Sequence, residues 1–223
     1  MELGIEVATK SEIVYDKIKN YIIKGELEPG EKYSISNLAK EFGISRSPVY
    51  EAVKLLEKED FVTIIPNVGF KVNTLTKKEI HDLLRIQGAL EGLAIREAMK
   101  YIGEEEVKEL NKILDKTEKY YNNNEIEKYI EENKHFHFKL YQYSHSNKLI
   151  NALKDYWRYE IWYTQNAEEI KTNICNLIDD HRELLEIIKN NEEDKVHDFI
   201  EEHIEDCEEV VLNNLESTKM LID

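Results

Sequence analysis

The apolar residues of this chain change their spacing part-way along. In the first third they fall into short helical groups separated by glycine and proline. Ile13, Ile18, Tyr21 and Ile22 predict a first helix, ended by Gly25. "LEPGEKY" predicts a turn centred on Pro29-Gly30. Ser34 is placed to cap a short helix bearing Leu38, Ala39 and Phe42, which Gly43 stops. Ser45 is placed to cap the next helix. Pro48 falls in its first turn, where backbone N–H groups lack partners anyway. Val49, Ala52, Val53 and Leu56 form the buried stripe of that helix. "FVTIIPNVGFKV" then predicts two short strands around Pro66-Asn67-Val68-Gly69. Helix, helix, turn, helix, hairpin is the order of a winged helix-turn-helix.

Past residue 76 the pattern becomes long and helical. All three prolines lie in the first third, and no glycine follows Gly103. The apolar period predicts six amphipathic helices, at about 77–101, 104–122, 125–144, 147–168, 173–190 and 192–215. The expected fold is therefore mainly α. Residues 1–75 form a winged helix-turn-helix domain and residues 76–223 an all-α six-helix bundle.

Charge sharpens this division. The chain of 223 residues carries a formal charge of −16, of which −2 falls on residues 1–76 and −14 on residues 77–223. The acidity sits away from the small N-terminal domain. No run of eighteen apolar residues predicts a transmembrane helix. "MELGIEVATK" lacks the basic and apolar regions of a secretory signal. Cys175 and Cys207 are isolated, without CxxC spacing, so a soluble, reducing, cytoplasmic setting is expected.

In a winged helix-turn-helix the third helix enters the major groove and the hairpin follows the backbone or minor groove. Arg46, Tyr50 and Lys54 share the face opposite the apolar stripe. With Lys40, Ser45 and Ser47, and with Asn67, Gly69 and Lys71 of the wing, they are the candidate contacts to double-stranded operator DNA. The alternative is a small structural domain whose cations are merely solvated. "GELEPGEKYSISNLAKEFGISRSPVYEAVKLLEKEDFV" and "PNVGFKV" resemble the GntR-type bacterial transcription regulators over residues 11–73. The resemblance implies DNA binding by paired heads, hence a homodimer on a two-fold site. Ser45, Arg46 and Gly69 keep the family pattern. Tyr50 and Val68 stand where that family usually has arginine. Tyr50 can donate to phosphate or pack on a thymine methyl, but it cannot bind guanine bidentately.

The long helices carry polar residues on apolar stripes. One stripe runs Ile126, Ile130, Asn133, His137, Leu140, Tyr141. A second runs Ile174, Leu177, Ile178, His181, Leu184, Leu185, Ile188, and a third Val196, Phe199, Ile200, His203, Cys207, Val210. An inward polar side chain needs a partner. His181 lies nine residues before Asn190 and His203 twelve after Asn191. At about 1.5 Å rise per residue the two sit within roughly 5 Å of equal height on antiparallel helices. Three imidazoles and the Asn133 oxygen suit a divalent transition metal such as zinc or nickel. The alternative is three hydrogen-bonded core histidines. His81, His135, His145 and His197 fall off these stripes and are expected at the surface.

"NKHFHFKLYQYSHSNKL" and "DDHRELLEIIKNNEEDKVHDFIEEHI" resemble the effector domain named FCD, of the FadR-type branch of the same family. The resemblance implies metal ligation at Asn133, His137, His181 and His203, with Asn133 where aspartate is commoner. "RIQGALEGLA" is similar to the family's R-x-x-L-E helix, with Glu91 as its glutamate and Gln87 where arginine is usual. Gln87, Glu91, Tyr141 and Arg158 are accordingly the candidate effector contacts, and the effector a small organic acid. "YWRYEIWY" is read as core and dimer packing, or as pocket lining by Tyr156, Arg158 or Tyr159. The expected function is a ligand-responsive transcription regulator, most simply a repressor. A metal-dependent enzyme fused to a DNA-binding head and a direct metal sensor are the alternatives. Against the enzyme, no carboxylate stands out beside the histidines as a general base, and no nucleophile motif occurs.

Overall fold

The computed structural model describes residues 9–157, 177–218 and 221–222. The chain divides into two compact units, one of Met1–Thr76 with Thr218–Asp223 and the other of Lys77–Ser217.

The first unit opens with α1 (Lys10–Ile23). Thr9 and Glu12 start it reciprocally: the Glu12 N–H donates to the Thr9 hydroxyl at 3.2 Å and the Thr9 N–H to the Glu12 carboxylate at 2.6 Å. Gly25, at φ +69°, turns the chain out of the helix. β1 (Lys32–Tyr33), α2 (Ile35–Glu41), α3 (Arg46–Lys58), β2 (Val62–Ile65) and β3 (Gly69–Val72) follow. The three strands form an antiparallel sheet in the order β1-β3-β2, with Lys71 opposite both Lys32 and Thr63. β1 is an addition to the two strands expected.

α3 packs on α1 and α2 through its predicted stripe, and Val49, Ala52, Val53 and Leu56 are all 0% exposed. Ile18, Ile22, Phe61, Phe70 and Val72 complete that core. Two expectations are corrected. Ile13 is exposed and Val14 buried in its place, because the inward face of α1 runs Val14, Ile18, Ile22 at strict four-residue spacing. Ser34 and Ser45 occupy the N-cap positions, but neither side chain makes the capping hydrogen bond. Ser45 is exposed, where solvent can satisfy the first-turn N–H groups.

The second unit contains α4 (Lys77–Met99), α5 (Glu104–Asn122), α6 (Ile126–Gln142), α7 (Asn147–Trp157), α8 (Leu177–Lys189) and α9 (Lys195–Thr218). Asn124, His145 and Asn191 have positive φ and lie in the turns between helices. α5 packs on α6 and α8, and α4 packs on α6 and α7. Arg182 of α8 bridges to Asp115 and Glu118 of α5 at 3.0 and 2.7 Å. At Gly88, α4 approaches α9 so closely that a Cβ there would lie 2.7 Å from Ile204 Cγ1. The fourth helix was expected to reach residue 168; its part beyond Trp157 lies outside the described residues. No helix among the described residues is long and apolar enough to cross a membrane.

A further strand pair, like β1, has no counterpart in the apolar pattern. β4 (Leu75–Thr76) pairs in parallel with β5 (Leu221–Ile222), so the segment after α9 returns to the residues just before α4.

Candidate metal centre and nucleic-acid interface

α6, α8 and α9 each turn one histidine into the second unit's core. His137, His181 and His203 are 5%, 1% and 7% exposed, and each offers a ligand atom within 4.8 Å of the other two. The ring centroids of His137 and His181 lie 4.6 Å apart, and those of His181 and His203 5.5 Å. Trp157 and Phe136 pack against His137 and His181, and Phe199 stacks on His203.

The partners of these rings differ. His137 Nδ1 lies 3.0 Å from the Tyr141 hydroxyl. Neither ring nitrogen of His181 has a hydrogen-bond partner among the described residues, nor have His203 Nδ1 and Asn133 Oδ1. A buried polar atom left unpaired costs about 1–3 kcal/mol. Three such atoms on His181 and His203, where the imidazoles converge, fit a metal ion better than they fit a hydrogen-bonded core. His203 Nε2 lies 3.7 Å from Cys207 Sγ, and its Nδ1 3.7 Å from Asp180 Oδ2.

Electrostatics separate the three. Burial holds His137 and His181 well below the ordinary imidazole value, helped by the neighbouring histidines. Burial also pulls on His203, but Cys207, Asp180 and Glu91 outweigh it and raise this ring well above the ordinary value. Behind the histidines lies a buried acid, Glu91. Its carboxylate accepts from Gln87 Nε2 at 2.8 Å and from Trp157 Nε1 at 3.1 Å, and burial raises its pKa.

Gln87, Glu91 and Tyr141 thus stand beside the histidines, and Arg158 lies outside the described residues. Gln87 is inward, as its stripe predicts, but its amide is committed to Glu91. The expectation that no carboxylate flanks the histidines is corrected: Asp180 and Glu91 both do. Asp180 was hidden because it sits off the apolar stripe, next to His181. Trp157 lay within the aromatic run already noted, but nothing in that run marks which indole reaches inward. His135, His145 and His197 are exposed, and half-exposed His81 meets Glu208 at 2.9 Å.

In the first unit the outward face of α3 presents Arg46, Ser47, Tyr50 and Lys54, with Ser45 just before it, all exposed. The Lys54 ammonium lies over the Tyr50 ring, 5.4 Å from its centroid. Glu51 shares this face and accepts from the Ser47 hydroxyl at 3.4 Å; sequence reasoning did not single it out. Lys40 of α2 is exposed. Asn67 and Val68 form the exposed tip of the β2–β3 wing, and Lys71 is half-buried on its central strand. Gly69 is required there: at φ +145° a Cβ would sit 2.0 Å from the Tyr33 carbonyl oxygen.

Comparisons with known proteins fall on the same two regions. The family model described as bacterial regulatory proteins, gntR family, matches residues 10–72, and the FCD domain model matches residues 82–206. The chain is 38% identical over 141 residues to an uncharacterized HTH-type transcriptional regulator, YdhC, of Bacillus subtilis, 63% of each chain. It is 26% identical over 144 residues to the HTH-type transcriptional regulator McbR of Escherichia coli, 65% of each chain. These matches therefore span just under two thirds of either relative. The gluconate operon transcriptional repressor of Bacillus subtilis is 24% identical over 221 residues, 97% of this chain and 90% of that one. The solved structure of E. coli McbR/YncC has the same fold, with a TM-score of 0.67 at 21% identity over 93% of this chain and 99% of that one. These families and relatives are regulators, not enzymes.

Proposed function

The chain belongs to the gntR family of bacterial regulatory proteins and carries an FCD domain; from that premise we infer that it is an operator-binding transcription regulator whose helical unit holds one divalent ion and a small effector. α3 lies in the major groove. Arg46 and Ser47 stand at its N-terminal end near base edges, Tyr50 and Lys54 reach one and two turns further, and the wing follows the backbone. Two copies read a two-fold site. Ile86 and Leu93, exposed seven residues apart on α4, give the second unit an apolar stripe on which such a homodimer can form. The acidic helices repel DNA and confine contact to the head.

The observation that carries the metal reading is the buried trio His137, His181 and His203, with neither nitrogen of His181 hydrogen-bonded among the described residues. Zinc or nickel suits three imidazoles, and the Asn133 oxygen is the fourth donor. Such an ion supplies a Lewis-acidic attachment point. A small organic acid would bind at that ion, beside Gln87, Glu91 and Tyr141. Its binding favours one arrangement of the heads and so changes operator affinity, as a repressor released by its ligand does.

The test is elemental analysis of the purified protein, followed by operator titrations with metal and with a panel of carboxylates and sugar acids. One ion per chain, and operator affinity that moves only when an acid joins the ion, supports the reading. An ion that by itself changes operator affinity makes the protein a direct metal sensor. No bound ion at micromolar zinc or nickel removes the metal from the account.

A further inference from the structure

We propose that Asp180 is a positioning residue of the metal centre: its carboxylate holds His203 by the Nδ1 edge and so turns Nε2 toward the ion. The inference rests on the metal reading above. It starts from two unsatisfied atoms. Asp180 Oδ2 and His203 Nδ1 face one another at 3.7 Å across α8 and α9, and both are buried without a hydrogen-bond partner among the described residues. The separation exceeds a hydrogen bond, which spans about 2.7–3.2 Å. A side-chain shift of under about an ångström closes it. One atom is an acceptor, and the other can carry a proton.

His137 shows the same arrangement already closed, with Nδ1 engaged by Tyr141 at 3.0 Å. Metal-bound histidines commonly donate their second ring N–H to a carboxylate or other acceptor, which fixes tautomer and orientation. Asp180 would do for His203 what Tyr141 does for His137. Only His181, bare on both nitrogens, would ligate without an outer partner.

Charge points the same way. Three neutral imidazoles and the Asn133 amide bring no negative charge to a divalent ion in a buried site, where uncompensated charge is costly. Of the two carboxylates at hand, Glu91 already accepts from Gln87 and Trp157, while Asp180 Oδ2 has no hydrogen-bond partner among the described residues and faces His203 at 3.7 Å. The competing arrangement turns His203 over, with Nδ1 on the ion and the Nε2 proton directed at Cys207 Sγ, 3.7 Å away.

The test is zinc titration of the full chain as wild type, Asp180→Asn, Cys207→Ala and His181→Ala, with melting temperatures measured in chelator and in excess zinc. Asp180→Asn should weaken zinc binding roughly 10- to 100-fold. Its metal-free melting temperature should fall by no more than a single partly buried ion pair with His203 contributes, while its zinc-induced rise shrinks far more. Cys207→Ala should bind zinc as wild type does. In the zinc-loaded wild type a slowly exchanging His203 Nδ1 proton should be visible by nitrogen-15 NMR, and it should exchange faster in Asp180→Asn at saturating zinc. Wild-type zinc affinity in Asp180→Asn, beside loss of zinc in His181→Ala, overturns the role of Asp180 alone. So does a zinc-induced rise in melting temperature as large as in wild type, or loss of zinc affinity in Cys207→Ala instead. Retention of zinc by His181→Ala overturns the metal centre itself.

Discussion

The groups proposed to meet DNA and those proposed to meet the ion occupy opposite kinds of place. In the first unit Arg46, Tyr50 and Lys54 stand on the outside of a helix whose inner stripe is 0% exposed. Among the described residues, every buried polar or charged side chain lies in the second unit, from Gln87 to His203. One unit keeps its core apolar and works at its surface. The other builds its working groups into the core, where each is either paired, as Glu91 is, or left unpaired, as His181 is. Stability and function should therefore separate cleanly in the first unit and oppose one another in the second.

The sharpest break of this contrast is His181→Leu. It should lower zinc affinity by orders of magnitude and yet raise metal-free stability by about 1–3 kcal/mol, since two unpaired nitrogens leave the core. Zinc competition and melting in chelator measure the two effects. A metal-free protein that melts lower would show that the histidine is structural. Next in size is Arg46→Ala. Operator affinity should fall by about 1–3 kcal/mol per half-site while stability moves by less than about 0.5 kcal/mol. Fluorescence anisotropy with operator DNA and a melting curve check both. Unchanged affinity in a folded variant would take α3 out of the reading role. Gly88→Ala tests packing alone. The added methyl meets Ile204, so stability should fall by about 1–2 kcal/mol with operator contacts of the first unit untouched.

The smallest effect is a slope. His137 and His181 sit below the ordinary imidazole value of 6.5 in the folded protein. As pH falls through that value the unfolded chain takes up protons that the folded one refuses, so these two groups remove stability on acidification. His203 is raised and acts in the opposite sense: its contribution is present below 6.5 and fades as pH rises through its higher folded value. Glu91, raised by burial, acts in the same sense as His203, so the groups oppose one another and the test lies in removing one of them. His181→Leu should make the melting temperature less sensitive to acid than wild type between about pH 8 and pH 5 in chelator. An equally steep slope would mean that the charge is carried elsewhere. With metal bound the acid sensitivity should steepen, because protons compete with the ion for the same nitrogens.

Much of this was legible in the sequence, for a physical reason. Val49 to Leu56 repeats at helical spacing because one face of α3 is covered by α1 and α2, while Arg46, Tyr50 and Lys54 on the other are exposed. His181 and His203 could be set at equal height because a short turn joins their helices, and height then follows from counting. What depends on how helices cross was not legible. Asp180 is off the stripe of α8, and only the placement of α9 brings it to His203. Tyr141 was on the stripe, but its bond to His137 depends on rotamers that spacing does not encode. β1 is two residues long and becomes a strand only because β3 lies beside it, so no local pattern announces it. Val14 replaced Ile13 for the same reason: apolarity alone does not say which of two adjacent residues faces inward.

The pairing of β4 with β5 has a consequence for how the molecule could be cut. Because the segment after α9 joins the sheet edge at Leu75–Thr76, the helical unit is, in chain order, an insertion within the first unit rather than an appendix to it. Two covalent crossings join the units instead of one tether. A fragment ending at Thr76 would leave β4 without its neighbour and its backbone donors and acceptors bare, a ready template for another chain. A circular permutant that opens the chain at the Asn123-Asn124 turn would keep both crossings and the strand pair together.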